Sequence, residues 1–252
     1  MGKMSDLMID TESERADQWI RERLSDDDLD EDSEEYQELA EEYSNYQDYL
    51  SEQAELRWLN EISSSILHKQ FMCELNELKK LMISTPKNEP NYMLDKMTYA
   101  YAVTLLETFL SDTAKSLINE NDDFLANSLE MKEFESTKYS LKEIKRKNFD
   151  AKSIVISKLS DISFHNITKV KKIYEIILGQ KLNIEISELC LITKKRHDIV
   201  HRNGKTKDGK PIDLNIAIVI KAIENIEVFV SDLQDMINCN NDSTPTNASN
   251  AL

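Results

Sequence analysis

The segment 194–204, Lys-Lys-Arg-His-Asp-Ile-Val-His-Arg-Asn-Gly, gathers residue types that can act on a phosphate. His197 and His201 carry imidazoles, which titrate near neutrality and can move the proton of a hydroxyl. Arg196 carries a permanently charged guanidinium, which forks onto phosphate oxygens as negative charge builds. The segment therefore indicates acid–base chemistry at a phosphate that needs neither a metal nor a cofactor.

Helical geometry leaves other interpretations of this segment open. In a helix, His197 and His201 stand one turn apart on one face, while Arg196 points about 140° away from His201. A long arginine near a helix end still reaches across. The plain alternative is a helix end with solvated charges and a histidine near the C-terminal dipole. Zinc held by the two histidines is a weaker alternative, since Cys190 lies about 10 Å along the helix, too far to share that ion.

A second helix is predicted over 91–120, and it must position the segment. Met93, Met97 and Tyr101 begin an apolar face so wide that it indicates a helix buried in a bundle. Glu107 falls within this face, so its carboxylate must be paired or must border a cleft. We expect Glu107 to hold Arg196 or a histidine, with an ordinary salt bridge to a lysine as the alternative.

The pattern Arg196-His-Asp-Ile-Val-His201, followed by Arg-Asn-Gly, resembles the Arg-polar-x-x-x-His motif of the HEPN-domain family, in its RiboL-PSP/MAE-like group. The helix Leu106-Glu-Thr-Phe-Leu-Ser-Asp112 is similar to one in the same families. The similarity covers about 91–238, and residues 1–85 match nothing in that pattern.

This resemblance implies an all-α, up-and-down helical bundle and a metal-independent endoribonuclease of toxin–antitoxin or antiviral-defence systems. The 2′-hydroxyl of RNA would attack the adjacent phosphate, giving a cyclic phosphate and a 5′-hydroxyl. Arg196 and His201 would be the catalytic pair, with His197 as the polar neighbour and Glu107 beside them. We expect RNA as substrate, a homodimer that joins two motifs at its axis, and an antitoxin or defence protein as a possible partner.

The basic residues around the motif are candidates for binding the RNA backbone. The proposed substrate-binding residues are Lys194, Lys195, Arg202 and Asn203. Lysines in 138–158, 169–172 and 205–210 extend this into a possible track for phosphates. Lysine-rich helix faces are also commonly just solvated, and no aromatic residues are interleaved to indicate sequence-specific stacking.

Periodicity and breaks predict four segments along the chain. Residues 1–32 are predicted to be an acidic, flexible arm with a short helix near 14–24. Residues 33–85 are predicted to form a long-helix appendage, as one helix or two end to end. Two prolines within 84–90 separate it from the HEPN-like helical domain at 86–239, whose last helix Asp213 is expected to cap. Residues 240–252 are predicted to be a disordered tail.

Charge is distributed very unevenly along the chain. The net charge is −16, yet residues 1–61 hold 21 acidic and 5 basic residues, while the remainder balances 26 of each. Because the local field decides binding, the acidic total does not exclude nucleic acid. The arm is either a phosphate mimic that occupies the basic cleft or a solubilising tail.

The sequence also predicts a cytoplasmic protein that is not bound to a membrane. It has no apolar stretch of about 18 residues, and its first residues lack an apolar signal core. Its three cysteines are far apart, which fits a reducing compartment. The competing function from another class is a non-catalytic HEPN-fold interaction module, whose acidic arm recruits a protein partner.

Overall fold

The structure is a computed structural model, which describes residues 2–26, 28–84, 92–135, 138 and 151–243. Within these ranges there are ten helices and no β-strand, so the all-α prediction is confirmed. None of the described helices is long and apolar enough to cross a membrane. The helices are α1 Gly2–Arg21, α2 Glu34–Glu61, α3 Ser64–Ser84, α4 Tyr92–Glu120, α5 Asp122–Ser128, α6 Lys132–Glu135, α7 Ala151–Ser160, α8 Ile167–Ile177, α9 Ser187–His201 and α10 Ile216–Ser243.

The chain divides into two compact units, Met1–Trp58 and Leu59–Leu252. This boundary differs from the predicted one near 84–90, most of which lies outside the described residues. The reason is that α3 packs along α4 and α10. Its Lys79 donates from Nζ to Glu227 Oε2 of α10 at 3.1 Å. The segment that looked like an appendage is therefore largely part of the second unit.

The first unit is a helical pair held by aromatic packing, where the sequence predicted a flexible arm. The Trp19 ring of α1 lies 5.4 Å from Tyr43 and 6.5 Å from Tyr46 of α2, between ring centroids. The neighbouring Ile20 is only 3% exposed. The guanidinium of Arg23 lies 3.9 Å from the Trp19 ring centroid. These aromatic contacts thus hold α1 against α2 in a segment that is rich in acidic residues.

The predicted long helical segment consists of two helices end to end. They are interrupted at 62–63, and α3 begins at Ser64. The backbone nitrogen of Ile66 donates to Ser63 Oγ at 3.4 Å, which is the contact of a helix N-cap. Asn119 of α4 donates to the carbonyl of Leu59 at 3.2 Å, and both residues belong to the second unit.

Helix α4 is the centre of the second unit, packing against α3, α5 and α7–α10. Leu106, Leu110 and Leu117 are fully buried. The hydroxyl of Tyr174 in α8 donates to the Leu110 carbonyl at 2.7 Å. The wide apolar face does not extend to the first turns, where Met93, Met97 and Tyr101 are exposed.

The last helix begins and ends later than the sequence predicted. Asn215, and not Asp213, caps it, because the backbone nitrogen of Ile218 donates to Asn215 Oδ1 at 3.1 Å. The helix continues to Ser243, so the predicted tail 240–252 starts inside it. The rest of that tail lies outside the described residues.

Candidate active site

The motif segment 194–204 begins in the last two turns of α9. The helix ends at His201, just before Asn203-Gly204, as the sequence predicted. Asn203 and Gly204 take left-handed backbone conformations, with φ of 51° and 78°. The backbone nitrogens of Arg202 and Gly204 both donate to the Asp198 carbonyl, at 3.2 and 3.0 Å. A left-handed residue that closes such a loop is a common helix terminator, and it fixes His201 at the final turn.

The start of α4 holds this helix end in place. Lys96 Nζ donates to Asn203 Oδ1 at 3.1 Å, and the Tyr92 hydroxyl lies 3.5 Å from the Gly204 carbonyl oxygen. Further along α4, the buried Tyr99 hydroxyl donates to the Ile192 carbonyl at 3.4 Å. The motif is therefore fixed along its length to one neighbouring helix.

Gly204 lies too close to Tyr92 to carry a side chain. A Cβ there would lie 2.8 Å from the Tyr92 hydroxyl oxygen, on a backbone that L-residues rarely adopt. We expect Gly204→Ala to lower the free energy of unfolding by more than the roughly 1–2 kcal/mol of a left-handed alanine. Gly209→Ala is the matched control, because Gly209 has a φ of 75° but nothing within 4 Å. Urea unfolding measures both.

The two glycine variants separate backbone strain from the steric clash. Adding Tyr92→Phe to Gly204→Ala removes the hydroxyl that the new Cβ would meet. The double variant should therefore lose no more free energy of unfolding than Gly209→Ala does. Equal losses for the two single variants would show that the Tyr92 contact does not restrict Gly204.

Arg196 of α9 and Glu107 of α4 form an ion pair, as the sequence suggested. Arg196 Nη2 lies 3.6 Å from Glu107 Oε2, and the two side chains are 22% and 21% exposed. Among the described residues, neither Arg196 Nε nor Glu107 Oε1 has a hydrogen-bond partner. Both atoms are buried, and buried polar atoms usually have partners, so this ion pair satisfies only part of the hydrogen-bonding capacity of its two side chains.

His197 and His201 lie side by side and exposed on α9, with ring centroids 4.6 Å apart and planes at 44°. Desolvation lowers the pKa of His197 below its ordinary 6.5, and the positive charges of Arg202 and His201 lower it further. A lowered pKa leaves His197 neutral at pH 7 and able to accept a proton.

Arg202 is already paired in the structure. Its Nη1 donates to Asp198 Oδ1, four residues earlier on α9, and Asp198 is 13% exposed. The Asp198 carboxylate is therefore engaged with Arg202. This pairing reduces the positive charge that Arg202 offers to a substrate.

These side chains line one cleft of about 740 Å³. Six of the eight predicted site residues lie along it: Glu107, Lys194, Arg196, His197, His201 and Arg202. The other two do not. Lys195 donates to the Asp213 carbonyl at 3.3 Å and lines a neighbouring pocket. Asn203 points its side-chain oxygen to Lys96.

Several lining residues were not predicted from the sequence. Cys190 and Thr193 precede His197 on the same face of α9, so helical spacing was a usable signal. Thr168 of α8 comes from a remote segment, with no such signal. Lys207, in the loop after α9, was anticipated only as one of the lysines of 205–210 in the possible phosphate track. Much of the predicted lysine track at 138–158, notably residues 139–150, lies outside the described residues.

A metal centre is not supported by the side chains that the structure describes. Within those ranges, no three His, Cys, Asp or Glu residues are grouped so as to hold a metal ion. The two histidines alone supply fewer ligands than a structural zinc site uses.

Comparison with known proteins gives one match. The family model described as RiboL-PSP-HEPN matches residues 72–238, which is more than half of the chain and includes both α4 and α9. No curated protein and no solved structure gives a significant match.

Proposed function

Because the chain belongs to the RiboL-PSP-HEPN family, we propose that it is a metal-independent endoribonuclease. Family membership confirms the resemblance seen in the motif and supports a nuclease-type or RNA-related function. The observation that carries the finer proposal is the cleft itself. A guanidinium, two adjacent imidazoles and a carboxylate line it together, from Arg196, His197, His201 and Glu107.

The proposed reaction is an internal transesterification. An imidazole takes the proton of the 2′-hydroxyl, and the 2′-oxygen forms a bond to phosphorus. The bond from phosphorus to the 5′-oxygen breaks, and that oxygen takes a proton from the second imidazole. His197 is suited to accept the first proton, because its lowered pKa keeps it neutral. His201 then delivers the second.

Arg196 would stabilise the negative charge that builds on the phosphate oxygens. A guanidinium donates two parallel hydrogen bonds to such oxygens, and it keeps its charge at any working pH. Glu107 is a positioning residue in this scheme, since its Oε2 holds Arg196 Nη2 at 3.6 Å.

Self-association and a cellular role belong to the same proposal. The cleft opens at exposed residues of α9. The exposed apolar side chains of Val200, Met93 and Met97 lie on α9 and α4, two of the helices that line it. A second copy would cover such a surface and bring two motifs together. In this proposal the homodimer acts as a toxin or antiviral-defence effector, restrained by an antitoxin or another defence protein.

Cleavage of RNA in the presence of a metal chelator tests the proposal. We expect the purified wild type to cut RNA and to leave cyclic-phosphate and 5′-hydroxyl ends, detected by end-specific labelling. His201→Ala, purified in parallel, should not cut, which excludes a contaminating nuclease. Cleavage that stops with chelator, or that leaves 5′-phosphates, would contradict the mechanism.

The alternative function is a non-catalytic interaction module. The pairing of both cleft arginines with carboxylates favours it, because Arg196 and Arg202 then contribute to stability without a ligand. In that case neither wild type nor His201→Ala would cleave RNA, and both would bind the same protein partner.

A further inference from the structure

We propose that Lys194 and Lys207 bind further phosphates of a single RNA strand, separate from the phosphate that is cut. The inference rests on the proposed function, because it assigns the path of the substrate through the same cleft. It also names Lys207, on a loop that the catalytic motif does not include.

Two arginines and two lysines line the cleft, and they differ in whether a carboxylate of the protein already pairs with them. Arg196 is paired with Glu107, and Arg202 is paired with Asp198. Lys194 and Lys207 line the same cleft, and the structure gives neither an ion pair with any residue that it describes. Both lysines are exposed. The charge that is free to attract a further phosphate therefore comes from the two lysines.

Lys194 lies too far from the catalytic histidine to bind the same phosphate. It precedes His201 by seven residues, which is about 10 Å along the helix axis on nearly the same face. Stacked nucleotides advance about 3.4 Å each along a strand. A strand that presents one phosphate to His201 thus presents another, at least one nucleotide away, to Lys194.

Lys207 is held on a tight loop that forms part of the cleft. The Thr206 nitrogen donates to the Lys210 carbonyl at 2.8 Å, and the Gly209 nitrogen donates to the Thr206 carbonyl at 3.0 Å. The Ile212 nitrogen donates to the Gly204 carbonyl at 2.9 Å, which attaches the loop to the end of the motif helix. Asp208 also lines the cleft, but among the described residues it forms no ion pair with Lys207.

The end of the cleft beyond Lys194 carries no carboxylate among its described lining residues. It is formed by the start of α8 and the middle of α9, where Thr168 Oγ1 lies 3.8 Å from Cys190 Sγ. Asn166 and Thr193 contribute further neutral polar groups. A strand that leaves the catalytic end in this direction meets hydroxyl, amide and lysine side chains, and no repelling charge.

Binding of uncleavable RNA tests the site apart from the chemistry. Oligonucleotides with 2′-O-methyl groups lack the attacking hydroxyl, so a dinucleotide and a hexanucleotide report binding alone. We expect Lys194→Ala and Lys207→Ala each to weaken hexanucleotide binding about fivefold at low salt. Each should also reduce the slope of log affinity against log salt by about 0.7. Dinucleotide binding should not change.

Lys181→Ala is the matched control. It removes the same charge from an exposed position after the other end of α8, away from the cleft. If the two cleft variants show the hexanucleotide affinity and salt slope of Lys181→Ala, the lysine site is excluded. Wild type that binds the hexanucleotide no more tightly than the dinucleotide also excludes it. The nuclease proposal fails separately, on the absence of cleavage of unmodified RNA.

Discussion

Arg196→Lys is expected to lower the single-turnover rate of RNA cleavage by at least about a hundredfold, although it keeps the positive charge. The ammonium is a point charge without the planar fork that matches two phosphate oxygens. A lysine also has a single nitrogen, so it cannot contact Glu107 with one nitrogen and bind phosphate oxygens with others, as a guanidinium can. The measurement is the cleavage rate of a labelled RNA with enzyme in excess.

The control for this substitution is Arg57→Lys, which makes the same chemical change at an exposed position of the first unit. Circular dichroism should show that both variants keep the wild-type helix content. An Arg196→Lys enzyme that retains most of the wild-type rate would mean that Arg196 acts only through its charge. The assignment of Arg196 to the transition state would then be abandoned.

Leu106→Ala is expected to lower the free energy of unfolding of the second unit by about 2–5 kcal/mol. Leu106 is fully buried on α4, the helix at the centre of that unit, and it directly precedes Glu107. Removing its side chain leaves a cavity that close-packed neighbours only partly fill. Far-UV circular dichroism in urea is the suitable probe, because both tryptophans, Trp19 and Trp58, belong to the first unit.

Met97→Ala is the matched control for Leu106→Ala, since Met97 lies on the same helix but is 62% exposed. A change within about 0.5 kcal/mol is expected there. Similar losses of unfolding free energy for the two variants would show that α4 is not the core helix described above.

If only Leu106→Ala lowers the free energy of unfolding, the Arg196–Glu107 pair should weaken as well. The cleavage rate should then fall even at temperatures where the second unit is still folded.

The charge pattern of the cleft explains why an acidic protein can contain a candidate RNA site. The whole net charge of −16 belongs to residues 1–61, because the remaining residues hold equal numbers of acidic and basic side chains. Within the cleft, two arginines are neutralised by their own carboxylates, which leaves two lysines as free cations. The field that a phosphate meets is set by these near charges, because charges beyond a Debye length are screened.

The sequence by itself determined the features that depend on short-range backbone geometry. The four-residue spacing of His197 and His201 placed both rings on one face of a helix, and Asn203-Gly204 marked its end. The apolar periodicity also indicated the central helix and the acid within it. These features need only the helical repeat and the conformational preferences of a few neighbouring residues.

Only the tertiary structure decided which of these side chains act together. Lys195 and Asn203, next to the motif in sequence, turn away to the Asp213 carbonyl and to Lys96. Thr168, remote in sequence, and Lys207, in the loop after the motif, line the cleft instead. The Arg202–Asp198 pair follows the local four-residue spacing of a helix, but the Arg196–Glu107 pair and the lining of the cleft depend on distances of a few ångströms between separate segments. No local pattern encodes those distances, so the pairing of Arg196 was settled only once the helices were packed.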